Sequence, residues 1–382
     1  MKKAAFVIIY LLSMFEFFHM PFLNAYLVFK YSVVLIGWLL FFGRFFYGNF
    51  RAPKLILYSF LVTLYFVTIP ALVATVSYHQ PLTNGIWFQV RYMAIIFSML
   101  VTYSKLKCET VLNYYRLSLF VGCILTFCLV GMALVFKDMF SHSFIYDTYR
   151  GYRFMIELTC MGDLAVYLSV RAKNKPAYFL LLVMVYCLLI ILKYSRLLLL
   201  CYVVITLLII LPNRRATKSL AAVCLIALLV LFSKGLIKID AKDSSASVKL
   251  VQSSIIISEL KRRPQRIVLG FGAIDNETRL STYGYFYPED TGILGAFFTY
   301  GVVGIGVFYL YFREVRLRRK QSLCHKDKTS LETFESLVYT LGVRVMHAFI
   351  SGGFIFYPAN TFLLLSIILK CVGSRDLNEE SD

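Results

Sequence analysis

Long apolar runs, separated by short polar segments, set the hydropathy pattern of this chain. A helix needs about 20 mostly apolar residues to cross the hydrocarbon core of a bilayer. With that length as a window, the pattern predicts about twelve membrane-spanning helices. They lie near residues 4–19, 26–43, 55–76, 86–104, 115–136, 153–170, 177–193, 196–212, 218–236, 290–312, 332–350 and 354–371.

One long polar stretch, residues 237–289, breaks this pattern. It contains SVKLVQSSIIISELKRR, in which Val248, Val251 and Ile255 recur at helical spacing before Pro264. We therefore expect an amphipathic helix that lies on the outer boundary between membrane and water. A Gly-Phe-Gly sequence then permits a sharp turn.

Together these features predict an all-α fold, a polytopic transmembrane helical bundle with one large outward-facing loop. Residues 1–236 would hold the first nine spans and residues 237–289 the loop. Residues 290–371 would hold the last three spans, and residues 372–382 a cytoplasmic tail.

The composition supports a membrane protein. With 59% hydrophobic residues and a mean hydropathy of +0.71, the chain is too apolar for a soluble protein of 382 residues. A net charge of +19 would suggest nucleic acid in a soluble protein, but most cations here lie between apolar runs, where they set topology. We therefore expect no nucleic-acid partner. The nine cysteines are scattered, without the spacing of a metal or redox site.

The first residues, MKKAAFVIIYLLSMFEFF, resemble a signal peptide. They lack a small-residue cleavage site and lead into another apolar run, so we expect a retained first span. With the N-terminus inside, clusters of Lys and Arg follow the predicted spans two, four, six, eight and ten. The connections near 20–25, 77–85 and 351–353 carry none. This positive-inside pattern predicts that both termini are cytoplasmic.

Arginines in or beside predicted spans are candidates for chemistry, because charge in a membrane is costly and usually functional. Arg91 lies just inside the outer end of the fourth span, where its side chain could instead snorkel to the surface. Arg196 lies at an outer hairpin, where the positive-inside rule disfavours a cation. Arg344 and His347 share a face of the eleventh span, which indicates either a polar cavity or a packed histidine.

Arg150 and Arg153 flank Gly151 where a basic outer loop meets the sixth span. That span also carries Glu157 and Asp163, which would project to opposite sides of a helix. An Arg153–Glu157 pair four residues apart is the structural alternative to a catalytic Glu157.

The large outer loop adds cations and tyrosines, among them Arg266, Arg279 and Tyr285. Guanidinium groups bind phosphate in bidentate fashion and aromatic rings stack on sugars, so this combination fits an anionic, glycan-linked ligand. A basic loop resting on anionic lipid headgroups is the alternative. Glu289 and Asp290 then suit the N-terminus of the next helix, where the helix dipole favours negative charge.

Three pieces of the chain follow one another in a familiar order: YRGYRFMIELTCMGDLAVYL, YSRLLLL, and ELKRRPQRIVLGFG through EDTGILGAFFTYGVVGIGVF. Between Tyr149 and Phe312 this order resembles the O-antigen polymerase and O-antigen ligase group of bacterial envelope proteins. The rest of the chain is similar in hydropathy and in the position of its largest outer loop. Ligases of the group typically carry a His-Asn pair where this chain has Glu289 and Asp290, which favours a polymerase.

The resemblance implies a metal-independent membrane glycosyltransferase without a cofactor, located in the bacterial cytoplasmic membrane. It would join oligosaccharide repeat units carried on undecaprenyl diphosphate at the outer face of that membrane. Its partners would be the lipid-linked oligosaccharide and the bilayer. A chain-length regulator and a flippase are further partners that the resemblance allows.

The resemblance also implies roles for the candidates. Arg196 is the best match to the family, and it would bind the departing diphosphate together with Arg266. Glu289 or Asp290 would be the base, or the hydrogen-bond partner of the acceptor. The predicted catalytic residues are thus Glu289, Asp290 and Arg196, and the predicted substrate-binding residues are Arg91, Arg150, Arg153, Arg266, Arg279, Tyr285, Arg344 and His347.

Three other functions stay open at this point. A ligase of the same group would transfer finished polymer to an acceptor. A flippase would move the lipid-linked oligosaccharide, although the sequence shows neither internal repeats nor interrupted helices at matching positions. An envelope sensor or scaffold would carry out no chemistry.

Overall fold

The computed structural model describes residues 2–15, 23–47, 54–136, 144–147, 151–154, 159–173, 175, 177–192, 196–211, 245–284, 286–318, 328–351 and 358–372. Within these ranges the regular secondary structure is helical apart from one short pair of antiparallel strands, and turns connect the helices. The predicted ninth span and the predicted C-terminal tail lie outside the described residues.

The α-helices of the described ranges are α1 (Lys3–Met14), α2 (Leu23–Tyr47), α3 (Lys54–Tyr78), α4 (Leu82–Gln89), α5 (Ile96–Tyr103), α6 (Cys108–Val135), α7 (Thr159–Ala172), α8 (Ala177–Ile191), α9 (Arg196–Ile210), α10 (Ser245–Arg262), α11 (Asn276–Tyr283), α12 (Ile293–Arg318), α13 (Lys328–Ser351) and α14 (Pro358–Val372). The strands are β1 (Phe144–Asp147) and β2 (Gly151–Phe154). Short 3-10 segments occupy Val90–Ile95, Pro264–Ile267 and Pro288–Thr291.

Five helical stretches within the described residues are long and apolar enough to cross a membrane: Ala25–Gly43, Leu57–Tyr78, Leu82–Thr102, Cys108–Val135 and Ile293–Leu310. Shorter apolar helices occur at Lys3–Met14, Ala177–Ile191, Leu198–Ile210 and Pro358–Cys371. These helices are compatible with a multi-pass membrane protein. The predicted helical, membrane-type architecture is confirmed at this level, and the count of about twelve spans stays a prediction.

The predicted sixth span begins later than expected. Residues 151–154 form β2, which pairs with β1 so that Arg153 stands opposite Ile145. Helix α7 starts only at Thr159. Arg153 therefore lies in a strand, which excludes an intrahelical pair for it, while Glu157 lies outside the described residues. Periodicity alone does not separate a short strand from the first turn of a buried helix.

Helix α12 is interrupted at Gly301, whose φ of 65° and ψ of −172° are not helical. Such a break in apolar surroundings is costly unless other groups pair with the freed backbone. The preceding segment supplies these partners. Three hydrogen bonds join the two segments: Phe271 N to Phe298 O at 2.7 Å, Gly272 N to Thr299 O at 3.1 Å, and Val303 N to Val268 O at 3.1 Å.

The expected Gly-Phe-Gly turn is present, but it is buried between α3 and α12. Gly270 and Gly272 have φ values of +78° and +87°. A Cβ atom on Gly272 would lie 2.5 Å from Ala74 N and from Pro70 O of α3. Ala273 N also donates to Pro70 O at 2.9 Å. Glycine is required here because no side chain fits between the two backbones.

Two apolar cores stabilise the molecule. The larger one runs through the bundle and contains fully buried tyrosines such as Tyr10, Tyr115 and Tyr202. The smaller one joins residues 245–284 and 286–291, called the cap below, to α12. It consists of Ile256, Phe271, Ile274, Phe286 and Phe298. The cap is therefore a folded part of the molecule.

Charged residues mark the end of the bundle opposite the cap. Arg171 pairs with Glu332 at 2.7 Å, and Lys173 pairs with Glu335 at 3.0 Å. Helix α13 connects the two ends of the bundle. It carries Glu332 at this end and, further along, His347, which lies near Lys249 of the cap. The segments of Arg171 and Lys173 are ones that the positive-inside pattern assigns to the cytoplasm.

Candidate functional site

The side chain of Gln80, between α3 and α4, holds the cap in place. Gln80 is 3% exposed; its Nε2 donates to Ala273 O at 2.9 Å, and its Oε1 accepts from Asp275 N at 3.0 Å. Asn84 Nδ2 donates to Asp275 Oδ2 at 3.0 Å. Buried amide hydrogen bonds of this kind orient the cap on the bundle.

Asp275 also begins α11, because its Oδ1 accepts from Thr278 N at 2.7 Å. This is the usual chemistry of a helix N-cap. Burial raises the pKa of Asp275, but hydrogen bonds from Thr278 and Asn84 outweigh it and leave the pKa below its ordinary value of 3.8. Asp275 is therefore ionised in the folded cap at neutral pH.

Glu289 lies between two arginines where the cap meets the bundle. Its Oε1 is 3.8 Å from Arg91 Nη2, and its Oε2 is 3.7 Å from Arg279 Nη1. The Glu289, Arg91 and Arg279 side chains are 15%, 11% and 9% exposed. Charges this close attract strongly away from water, yet both distances exceed an ordinary hydrogen bond.

Residues close in sequence help to position the guanidinium group of each arginine. The guanidinium of Arg279 lies 4.4 Å from the ring centre of Tyr287, and its Nη2 donates to Asn276 Oδ1 at 2.5 Å. Arg91 lies in the 3-10 segment after α4, and its guanidinium is 4.7 Å from the ring centre of Phe88. Aromatic faces attract cations, so these rings help to fix both guanidinium groups.

Glu289 is placed by the 3-10 turn Pro288–Thr291, which precedes α12. Thr291 Oγ1 donates to Pro288 O at 2.8 Å and tightens the turn. The turn packs so closely on α12 that a Cβ atom on Gly295 would overlap Pro288 O. This contact leaves little freedom for the backbone that carries Glu289.

Buried polar side chains adjoin the three charged groups. Tyr300, which interacts electrostatically with Arg91 and Glu289, accepts a hydrogen bond from Tyr92 Oη at 2.8 Å. Its hydroxyl donates to Gln89 Oε1 at 3.4 Å. Gln89 is fully buried, and its Nε2 has no hydrogen-bond partner among the described residues. A buried donor without a partner is costly and suits a ligand acceptor.

The chemistry of this site follows from its charge. Two guanidinium groups and one carboxylate leave a net positive charge in a mostly buried place, which favours an anionic ligand. Glu289 Oε2 is buried and accepts no hydrogen bond within the described part of the chain. It can therefore accept a hydrogen bond or a proton from a ligand hydroxyl.

A second ion pair joins α7, α9 and α13. Arg344 Nη2 donates to both carboxylate oxygens of Asp163 at 2.8 Å. Tyr202 Oη donates to Asp163 Oδ1 at 2.5 Å and accepts from Arg344 Nη1 at 2.9 Å. Asp163 is 0% and Arg344 7% exposed. The charge of Arg344 is thus compensated within the protein, which favours a structural role.

The remaining predicted residues are not brought to Glu289 by any described contact. Asp290 is exposed, although it adjoins Glu289. Arg266 is half-buried in the turn after α10 and makes no ion pair among the described residues. His347 lies near Arg344 and Lys249.

Other predicted residues fall where side chains are not described. Arg196 is the first residue of α9, and Arg153 lies in β2. Arg150 and Tyr285 lie outside the described residues.

The predicted amphipathic helix is confirmed as α10, which ends at Arg262 before Pro264. The structure adds which side of this helix packs inward. Gln252 and Ile256 are buried, whereas Val251 is 58% exposed. This side packs on α12 and on the turn of Glu289, and the position of the helix at the membrane boundary stays a prediction.

No group of three or more His, Cys, Asp or Glu side chains that could hold a metal ion occurs in the part of the chain that the structure describes. Comparisons with protein-family models, curated proteins and solved structures returned no match.

Proposed function

We propose that this chain is a polysaccharide polymerase of the bacterial cytoplasmic membrane. It would join oligosaccharide repeat units carried on undecaprenyl diphosphate, at the outer face, in a bundle of about twelve spans with cytoplasmic termini. The observation that carries the proposal is the mostly buried carboxylate of Glu289 between Arg91 and Arg279, where the folded cap meets the bundle.

The proposed reaction is an inverting glycosyl transfer. The acceptor hydroxyl oxygen attacks the anomeric carbon of the donor sugar and forms the new glycosidic bond. The bond from that carbon to the diphosphate oxygen breaks, and its electron pair leaves with the lipid diphosphate. Glu289 takes the proton of the acceptor hydroxyl. Arg91 and Arg279 stabilise the negative charge on the departing diphosphate.

This assignment changes the roles expected from sequence. Arg279 joins Arg91 as a diphosphate ligand, since both lie within 4 Å of Glu289. Arg344 is not proposed as a substrate-binding residue, because its guanidinium donates hydrogen bonds to Asp163 and Tyr202. Roles for Arg196 and Arg266 stay predictions of the family resemblance.

Purified protein in detergent, supplied with a lipid-diphosphate-linked repeat unit, should lengthen the oligosaccharide on its carrier. Failure to lengthen it under conditions in which the protein stays folded would contradict the proposal. The deletion strain separates the two enzymes of the group. A polymerase deletion leaves single repeat units on the final acceptor, whereas a ligase deletion leaves long polymer on the lipid carrier.

A transporter is the second candidate, and one structural feature favours it. Interrupted helices are typical of secondary transporters; α12 is broken at Gly301, and a 3-10 segment interrupts Leu82–Thr102. In a deletion strain, lipid-linked repeat units accessible only from the cytoplasmic side would support the transporter. Units accessible from the outer side would support the polymerase.

A further inference from the structure

A cleft between α1 and the first turns of α6 is separate from the site around Glu289. It encloses about 270 Å³ and is lined by Lys3, Asn113, Tyr114, Arg116, Leu117 and Phe120. The ring of Phe120 lies 6.2 Å from that of Tyr167, one turn before Arg171. The cleft therefore opens at the end of the bundle opposite the cap.

The rim of this cleft is cationic. Lys3 and Arg116 contribute two positive charges, and Lys2 stands next to Lys3. Helix α1 begins at Lys3 without a side-chain cap and without an acidic residue in its first turn. Its first backbone N–H groups and its dipole add to the positive potential. Glu109, the acidic residue of the first turn of α6, is not among the residues that line the cleft.

The floor of the cleft is apolar and continues along the outer surface of α6. Leu117 and Phe120 form the floor. Phe120 also begins a row of exposed side chains: Phe120, Ile124 and Phe127 are 42%, 63% and 44% exposed, at spacings of four and three residues. That spacing places the three side chains in one stripe, roughly 10 Å long at 1.5 Å per residue. A stripe of this kind suits a hydrocarbon chain.

We infer that this cleft binds one anionic phospholipid from the leaflet at this end of the bundle. The phosphate would lie against Lys3 and Arg116, and one acyl chain would lie along the stripe of α6. Basic pockets between membrane helices bind anionic headgroups in this way. A volume of about 270 Å³ is at the small end for a ligand pocket, so it accommodates the headgroup while the chains stay outside.

Native mass spectrometry and thermal unfolding of the full chain in detergent test this site. The probes are phosphatidylglycerol, phosphatidylcholine and soluble glycerol phosphate. We expect one phosphatidylglycerol to be retained and to raise the unfolding temperature, with neither effect from the other two probes. Substitution of Lys3→Ser together with Arg116→Gln should weaken binding about 25-fold, which is about fivefold for each cation removed.

The matched control is Lys105→Gln with Lys107→Gln. It removes two cations from the segment before α6 without touching the cleft lining. Its affinity for phosphatidylglycerol should stay within about twofold of the parent. Should the double variant at the cleft unfold, Lys3→Ser alone changes only an exposed residue and should still weaken binding about fivefold.

Three results would overturn the inference. Retention of phosphatidylcholine equal to that of phosphatidylglycerol would show that the cleft does not distinguish the charge of the headgroup. Equal loss in the control would show a general electrostatic effect. Binding of glycerol phosphate as tight as that of the lipid would identify a site for a soluble anion.

Discussion

Arg91 and Arg344 look alike in the sequence, since each is an arginine inside an apolar span. The folded chain gives them different partners. The guanidinium of Arg344 lies 2.8 Å from the carboxylate of Asp163, whereas the guanidinium of Arg91 lies 3.8 Å from the carboxylate of Glu289. The Arg344 pair is tight, whereas the Arg91 pair is loose, because its separation is longer than a hydrogen bond.

Replacing Glu289 tests the loose pair. Glu289→Gln keeps the shape of the side chain and removes the base, so we expect transfer to fall by about 100-fold or more. Transfer by purified protein in detergent is the measurement. The exposed neighbour supplies the control, since Asp290→Asn should stay within about threefold of the parent under the same reasoning. A comparable loss of transfer activity in Glu289→Gln and Asp290→Asn would contradict the proposed role of Glu289 as the base.

Replacing Arg344 tests the tight pair. Arg344→Met leaves the Asp163 carboxylate buried without its cation, which should cost about 3–5 kcal/mol of stability. Adding Asp163→Leu removes the buried charge as well and should recover most of this loss. Thermal unfolding in detergent measures both variants. If Arg344→Met alone is as stable as the parent, the ion pair does not stabilise the fold.

Asp275 makes cap stability depend on pH. Its pKa in the folded chain lies below the ordinary value of 3.8, so its stabilising contribution is fully present above pH 3.8. It is lost as the pH falls through the lower, folded pKa. Asp275→Ala should cost about 1 kcal/mol at neutral pH from the lost N-cap. The unfolding midpoints of parent and variant, measured from pH 7 down to pH 2.5, should begin to converge as the pH falls below 3.8. A constant difference would contradict the assignment.

At the scale of elements, the break in α12 is the feature that organises the site. The buried turn at residues 270–272 pairs with the backbone on both sides of the break. The first half of α12 follows the turn that carries Glu289. The cap and α12 therefore position Glu289 as one unit.

Gly301 tests this arrangement. A Cβ atom on Gly301 would overlap Val268 O, and φ is positive, so Gly301→Ala should cost about 2 kcal/mol or more. Gly306→Ala, five residues later on the same helix, meets open space and should change stability by less than about 1 kcal/mol. Thermal unfolding compares the two variants. Equal effects would show that the break is not held by the buried turn.

At the scale of the whole molecule, the two ends of the bundle differ in how they use charge. The end with Arg171 and Lys173 pairs its cations with Glu332 and Glu335 of α13. At the cap end, Arg91 and Arg279 flank Glu289, so these three charged side chains together carry an excess of positive charge. The first arrangement suits a cytoplasmic anchor, and the second suits a binding site.

Topology can be tested with cysteine labelling in intact cells. Ser258 is exposed on the cap, and Lys173 is exposed at the opposite end. With the native cysteines replaced, Ser258→Cys should react with a membrane-impermeant maleimide in intact cells. Lys173→Cys should react only after permeabilisation. The reverse pattern would invert the proposed orientation and exclude transfer at the outer face.

What could be predicted from the sequence alone was local. Within the described residues the apolar runs overlap helices, except at the start of the predicted sixth span, where β2 lies, and Pro264 correctly marked the end of α10. The ion pairs between distant helices could not be predicted from the positions of the apolar runs. Asp163 and Arg344 are 181 residues apart, and a hydropathy pattern does not say which helix faces meet. Their opposite charges inside two spans were the signal that could have joined them.

The sequence by itself determined an apolar, membrane-type helical chain with a basic, polar segment before α12, because run length and charge act locally. Only the tertiary structure decided that this segment is a folded cap and that its turn is buried against a broken helix. It also decided that Glu289, among several candidates, lies between Arg91 and Arg279. The physical reason is packing: backbone groups freed at Gly301 must be paired, and the segment that pairs them brings the charged side chains together.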